Sequence, residues 1–408
     1  MIILSIVYMK QDTNTIYSHL DKIYKKNKKL FQPIKFTTEG NDMVKELFRN
    51  IHVCHQKWKL EQKTIQIASL TELPKSPDFD YMPQTIRAEI DRKCVKRISC
   101  VIPFQNRTFT IYLCMNSTMS NDNIERRIKQ IYLWLSLVNR YVKPSCSKTV
   151  NIYMYFIDLK KSLPVQKEDP IDQVHVNTAF TTTCQPHTNV HIFRDEEWFR
   201  TLIHESFHNL GLDFILMDQK FQQISENRIR SIFPVTMTEL RFYETYCEMW
   251  GEILNSMFIV YLFECGSNTF SVQRCLFSLK EMLLYEKMFS IFQCVKVLHH
   301  NKLTYSDMMN EFHASKYKEK TQGFAYYVLK CVFMVHVSQF LHFCATQSSS
   351  YSLQFRLNMK TLKNYTDIIE NNHASNDMIE GTQLMKRELL KSSGIVKKTL
   401  RMSLWELE

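Results

Sequence analysis

Glycine is scarce: 7 residues in 408, where ordinary usage would be roughly 7%. So few glycines leave little material for sharp loops that cradle phosphate. Neither GxGxxG nor GxxxxGK[ST] occurs, and a nucleotide site is not expected. There is also no CxxC, and the 12 cysteines are irregularly spaced. No apolar run is long and clean enough to cross a bilayer. MIILSIVYMK (Met1–Lys10) is too short and lacks the basic start of a signal peptide, so it reads as a first strand. FAYYVLKCVFMVHVSQFLHFCA (Phe324–Ala345) is interrupted by Lys330, His336, Gln339 and His342, which suits a core helix better than a span. These absences together predict an intracellular, cytoplasmic protein with no membrane span and with reduced cysteines. The Asn106 and Asn116 sequons are then incidental.

Hydrophobic residues make up 45% and charged residues 23%, a composition that buries a core rather than staying disordered. The length allows two domains, or one with large additions. The net charge is +11, and a basic chain can bind nucleic acid. Here, however, the lysines are scattered. The one dense run, KIYKKNKKL (Lys22–Leu30), reads as a solvated helix face. Nucleic acid is therefore an unlikely partner, kept only as a third alternative.

Periodicity divides the chain into a mixed region over 1–85, an α/β region over 86–215 and a helical region over 216–408. KRISCVIPF and TFTIYLCM flank QNR and predict a hairpin. Ile124, Ile128, Ile131 and Leu135 recur at helical spacing behind a cap at Ser120 or Asn121. TVNIYMYFID (Thr149–Asp158) reads as a buried strand, NTAFTTT (Asn177–Thr183) as an exposed edge and NVHIF (Asn189–Phe193) as a short strand. Asp195 is expected to cap the next helix. Further on, TELRFYETYCEMWGEILNSMFIVYLFE is the clearest helix. Others are expected over Phe270–Val297, Gly323–Cys344 and Lys360–Lys398.

The helix after Asp195 carries the chemistry. In WFRTLIHESFHNLGLDF (Trp198–Phe214), His204 and His208 lie four apart and share one helical face. Two imidazoles so placed can bind one tetrahedral zinc ion. Glu205 would sit beside the metal without ligating it, where it can take a proton from a bound water. Phe199, Ile203, Phe207 and Leu210 form the packing face. The alternative is two histidines satisfied by hydrogen bonds in a core. His187 and His191, also four apart, lie in a non-helical stretch and read as cleft-lining or inert. The trio His52, Cys54 and His55 reads as structural, and His299–His300 as a helix end.

A third ligand is needed. Gly211 stands where HExxHxxGxxH enzymes turn toward a third histidine, but Phe214 occupies that histidine position. Asp213 is one residue short, and Gly211 reads instead as a helix terminator. Three acids four apart, Glu244, Glu248 and Glu252 in ETYCEMWGEILN, offer a second route. On these motifs the chain resembles the gluzincin zinc metallopeptidases, in which HExxH is completed by a downstream Glu. EMWGEIL is similar to the ligand-bearing stretch of the anthrax lethal factor catalytic domain. The resemblance implies Glu248 as third ligand, Gly251 as a small residue allowing close helix approach, and Glu252 as an acid orienting a ligand histidine. Glu244 remains an alternative ligand. It further implies an α+β, zincin-like mixed sheet with a backing helix and an active-site helix, followed by a mostly helical C-terminal half. NTAFTTT would then be the edge strand that pairs with an extended substrate. Tyr243 and Tyr327 are candidate oxyanion donors, with Tyr246 and Tyr326 in the same neighbourhoods. Length, low glycine and abundant Lys and Asn also resemble uncharacterised metallopeptidases of large eukaryotic DNA viruses. That likeness implies a viral protein, packaged in a virion in one version.

The function expected from this reading is zinc-dependent endopeptidase activity on a peptide or protein substrate. A non-catalytic, virion-associated protein with a structural zinc site is the alternative.

Overall fold

Alternating apolar and polar residues build the first half of the main sheet, and helices follow wherever the apolar period lengthens. The computed structural model describes residues 9–166, 168–237, 239–264, 270–347 and 351–407. The helices are α1 (Gln11–Lys26), α2 (Thr38–Glu61), α3 (Gln84–Lys93), α4 (Asn121–Val138), α5 (Gln173–Val176), α6 (Trp198–Asn209), α7 (Gln219–Ile232), α8 (Glu244–Glu264), α9 (Val272–His300), α10 (Glu311–Ala314), α11 (Lys330–Val335), α12 (Val337–Gln347), α13 (Met359–Asn372), α14 (Asn376–Lys391) and α15 (Gly394–Lys398). The strands are β1 (Ile67–Ser69), β2 (Lys96–Phe104), β3 (Arg107–Met115), β4 (Thr149–Phe156), β5 (Ile171–Asp172), β6 (Ala179–Thr181), β7 (His187–Ile192) and β8 (Glu319–Lys320). The fold is mixed α/β, with a six-stranded mixed sheet and a helical C-terminal half. The strand expected in MIILSIVYMK falls almost wholly outside the described residues.

The chain forms two compact units. A sheet unit comprises Leu47–Lys160 and Asn177–Ile215; a helical unit comprises Met1–Glu46, Lys161–Val176 and Leu216–Glu408. The division differs from the contiguous one read from periodicity, because the first 46 residues belong with the helical unit.

In the sheet unit the strand order is β1-β2-β3-β4-β7-β6. The predicted hairpin is present, with Phe104 paired to Arg107 across a two-residue turn. β3, β4 and β7 run parallel, and β6 returns antiparallel to β7 as the outer strand. α4 makes the crossover from β3 to β4. Its cap is Ser120, whose Oγ accepts from the Asn123 N–H at 3.2 Å. Arg107 secures the loop before β4: its guanidinium donates to the carbonyls of Ser147 and Cys146, each at 2.7 Å. A core of Ile86, Ile90, Tyr153, Tyr155, Ile157 and Phe193 lies on one side of the sheet. His191 belongs to it, stacked on Tyr153 at 4.6 Å and Phe180 at 4.7 Å. Its Nε2 meets Ser76 Oγ at 2.8 Å, and burial pushes its pKa down to about 4. His191 is thus a packed core residue.

The helical unit is built around α8 and α9, with α11 and α14 packed on α9. The helix expected over Gly323–Cys344 is broken. A π-helical turn over Phe324–Leu329 leads into α11, and the chain bends by 86° at His336 before α12. Among the described residues no single helix is long and apolar enough to cross a membrane. Buried polar side chains hold the irregular segment Thr399–Glu406 inside this unit. Lys296 donates to the Thr399 carbonyl at 2.7 Å, and Glu286 accepts from the Leu404 N–H at 3.0 Å and from Ser403 Oγ at 2.6 Å. The carboxyl of Glu286 is raised to about 8, first by burial and then by the nearby charge of Glu252.

The expectation of wholly reduced cysteines is corrected. Cys146 and Cys184 form a disulfide, with Cα atoms 4.7 Å apart across a sequence separation of 38. They meet because the loops before β4 and after β6 converge on the end of α6. The other described cysteines are buried.

Candidate metal centre

α6 is short and wholly interior: all 12 of its residues are buried. Its start differs from the sequence expectation. Asp195 does not cap the helix but pairs with Arg127 of α4 at 2.7 Å. The N-cap is Glu197, in left-handed conformation with φ 58°. Arg127 also lies over the rings of Phe156 (4.1 Å) and Trp198 (5.2 Å), tying α4, β4 and the first turn of α6 together. Further along, the Trp134 indole N–H donates to Ser206 Oγ at 2.9 Å, and its ring stacks on Phe207. The packing face is therefore clamped to α4, as the spacing of Ile203 and Phe207 predicts.

The helix ends as Gly211 suggests. The Leu212 N–H donates to the Phe207 carbonyl at 2.8 Å and the Gly211 N–H to the His208 carbonyl at 3.1 Å, the paired bonds of a Schellman motif. Gly211 has φ +64°. A Cβ there would also meet the Cys184 side chain at 3.3 Å and Cys146 Sγ at 3.5 Å. Glycine is required on both counts.

His204 and His208 face each other on the remaining side. Their Nε2 atoms are 3.2 Å apart, and the ring planes cross at 75°. Both are buried, as is Glu205 between them in sequence. The turn after Gly211 brings Asp213 back to His208, where its Oδ2 meets Nδ1. The second oxygen of Asp213 accepts from the Ile215 N–H at 3.0 Å. A carboxylate on Nδ1 fixes the tautomer of His208 and leaves the Nε2 lone pair directed at the other imidazole. The spacing of Asp213, one residue short of the third-histidine position, does not by itself reveal this pairing with His208. The signal for it is the glycine three residues past His208, whose left-handed backbone reverses the chain within one turn.

Buried His, Glu, Asp and Cys groups could hold a metal ion. Within the sheet unit these are His204, His208 and Asp213, all buried. Glu248, implied as third ligand by the resemblance, and its alternative Glu244 belong to the helical unit. Both are buried on α8, Glu244 in its first turn and Glu248 one turn later. Glu252 is a member of another network: its carboxylate accepts from Lys330 of α11, both side chains being buried. The ion pair supplies the physical reason for a buried acid at that position. Tyr327 is also spoken for, because its hydroxyl donates to the Leu400 carbonyl within the core. Tyr243 lies half-buried in the turn before α8. β6, by contrast, is the outer strand of the sheet, where NTAFTTT was expected to form an edge.

Two imidazoles are donors suited to a borderline metal such as zinc. Compared with known proteins, the chain matches no family model, no curated protein and no solved structure.

Proposed function

We propose that this protein is a zinc-dependent peptidase whose metal is held by His204, His208 and an acid of α8. The observation that carries the reading is the pair of buried imidazoles on α6, with Nε2 atoms 3.2 Å apart and one ring braced by Asp213. Glu248 is the first candidate for the third ligand, on the resemblance, and Glu244 is the alternative; both are buried on α8. A zinc ion bound there would bring the pKa of a coordinated water down toward neutrality and polarise a peptide carbonyl. Glu205 is the general base that takes the water proton and then passes it to the leaving amine. Asp213 holds His208 in the tautomer that ligation requires. β6 offers an edge to an extended peptide.

The test is metal analysis paired with cleavage of an unbiased peptide library. Glu205→Gln is expected to keep stoichiometric zinc and lose cleavage; equal turnover would refute the mechanism. Glu248→Ala is expected to lose zinc, and retention there with loss in Glu244→Ala would move the ligand to Glu244.

A further inference from the structure

We infer that Asn209, the residue directly after the second histidine, is a positioning residue that sets the substrate-binding edge of β6 against the metal helix. The inference rests on the peptidase reading above and adds to it a determinant of substrate docking. Asn209 is 1% exposed, and every polar atom of its side chain is used. Its Nδ2 donates to Thr181 Oγ1 at 3.0 Å and to the Thr182 carbonyl at 2.9 Å. Its Oδ1 accepts from Thr188 Oγ1 of β7 at 3.3 Å. The main-chain carbonyl accepts from Ser147 Oγ at 2.7 Å and from the Cys184 N–H at 2.9 Å. One residue therefore joins the last turn of α6 to β6, to β7 and to both loops linked by the Cys146–Cys184 disulfide.

The register of β6 shows why this grip matters for a substrate. The Phe193 N–H donates to the Thr178 carbonyl at 2.9 Å, and the Thr182 N–H to the Asn189 carbonyl at 3.2 Å. In an antiparallel pair, bonding alternates. Thr178 and Phe180, together with the Thr182 N–H, therefore face β7, and Ala179 and Thr181 turn their main-chain groups outward. Thr181 is thus both the residue whose side chain Asn209 grips and one of the two whose backbone would pair with an extended polypeptide. Its Oγ1 is held from the other side by donation to the Asn189 carbonyl at 2.8 Å. Releasing Asn209 frees that position relative to His208 without touching an imidazole.

The experiment compares Asn209→Ala and Thr181→Val with wild type. Thr181→Val removes the same bond from the strand side, together with the donation to the Asn189 carbonyl, at nearly constant volume; if Asn209→Ala does not fold, an unchanged KM in Thr181→Val still overturns the inference. Readouts are zinc stoichiometry, kcat and KM on the best library peptide, and hydrogen exchange of the β6 amides. Losing one or two main-chain bonds to the peptide should raise KM by about tenfold. Zinc content should hold, kcat should stay within about threefold, and β6 exchange should accelerate. A loss confined to kcat, or an unchanged KM in folded variants, overturns the inference. Unchanged β6 exchange in an active Asn209→Ala enzyme refutes Asn209 alone. Wild type that cleaves no library peptide refutes the peptidase reading and the substrate role with it.

Discussion

Asp213→Asn is the sharpest probe of the proposed centre, because it removes one charge and almost no volume. In the native arrangement one carboxylate oxygen meets His208 Nδ1 and the other accepts from the Ile215 N–H at 3.0 Å. An amide has only one acceptor oxygen. If that oxygen faces His208, the NH2 meets the Ile215 N–H, donor against donor. If it faces Ile215, the NH2 meets Nδ1 and favours the tautomer protonated at Nε2, which cannot ligate. Either orientation weakens the pair, and Asp213 is buried too deeply for water to compensate. Loss of such an orienting partner weakens metal binding by about 10–100-fold, which is about 1.4–2.8 kcal/mol. The assay is competitive zinc titration against a chromophoric chelator, with thermal unfolding of the metal-free protein as control. Zinc affinity within about threefold of wild type, well short of the tenfold floor, would refute the orienting role.

Three further outcomes follow from the packing. Lys330→Met leaves Glu252 buried without its cation, at a cost of about 3–5 kcal/mol. Urea denaturation should show it, and adding Glu252→Gln should recover part of the loss; equal stability of Lys330→Met and wild type would count against the pair. Reducing the Cys146–Cys184 bond should cost about 4 kcal/mol on loop-entropy grounds, read as a lower Tm in a dithiol reductant that Cys146→Ser no longer responds to. A Tm indifferent to reductant removes the bond from the account. His191 binds a proton in the unfolded chain below its ordinary pKa of 6.5, but in the fold only near about 4. Its contribution is therefore complete above pH 6.5 and is lost as pH falls from 6.5 toward 4, by about 3 kcal/mol. His191→Gln should flatten that limb of the stability curve, and an unchanged slope would refute the assignment.

What could be read from the chain was local. The β2–β3 hairpin, the Ser120 cap, the amphipathic face of α6 and the terminator Gly211 each depend on residues within a few positions of one another. Periodicity of 2 or 3.6 encodes such features directly. Asp195 marks the limit of that kind of reading. It has the chemistry of a cap, yet Arg127, 68 positions earlier in sequence, takes it, and the helix begins after it. The break at His336 was equally hidden, since apolar residues continue on both sides of the bend.

The acids of α8 show the same boundary. Glu244, Glu248 and Glu252 are four apart, so periodicity places all of them on one face of α8. It does not say which turn matters, and successive turns differ by about 6 Å along the axis, several times the roughly 2 Å length of a zinc–oxygen bond. Sequence alone determined that two histidines share a helical face, that Glu205 lies beside them and that Phe214 takes the place of a third histidine. Only the tertiary structure decided that Asp213 braces His208, that Lys330 claims Glu252 and that Asn209 ties the helix to β6. Spacing along a helix is a property of the backbone, whereas the partner of a side chain is chosen by whichever distant segment the fold delivers to it.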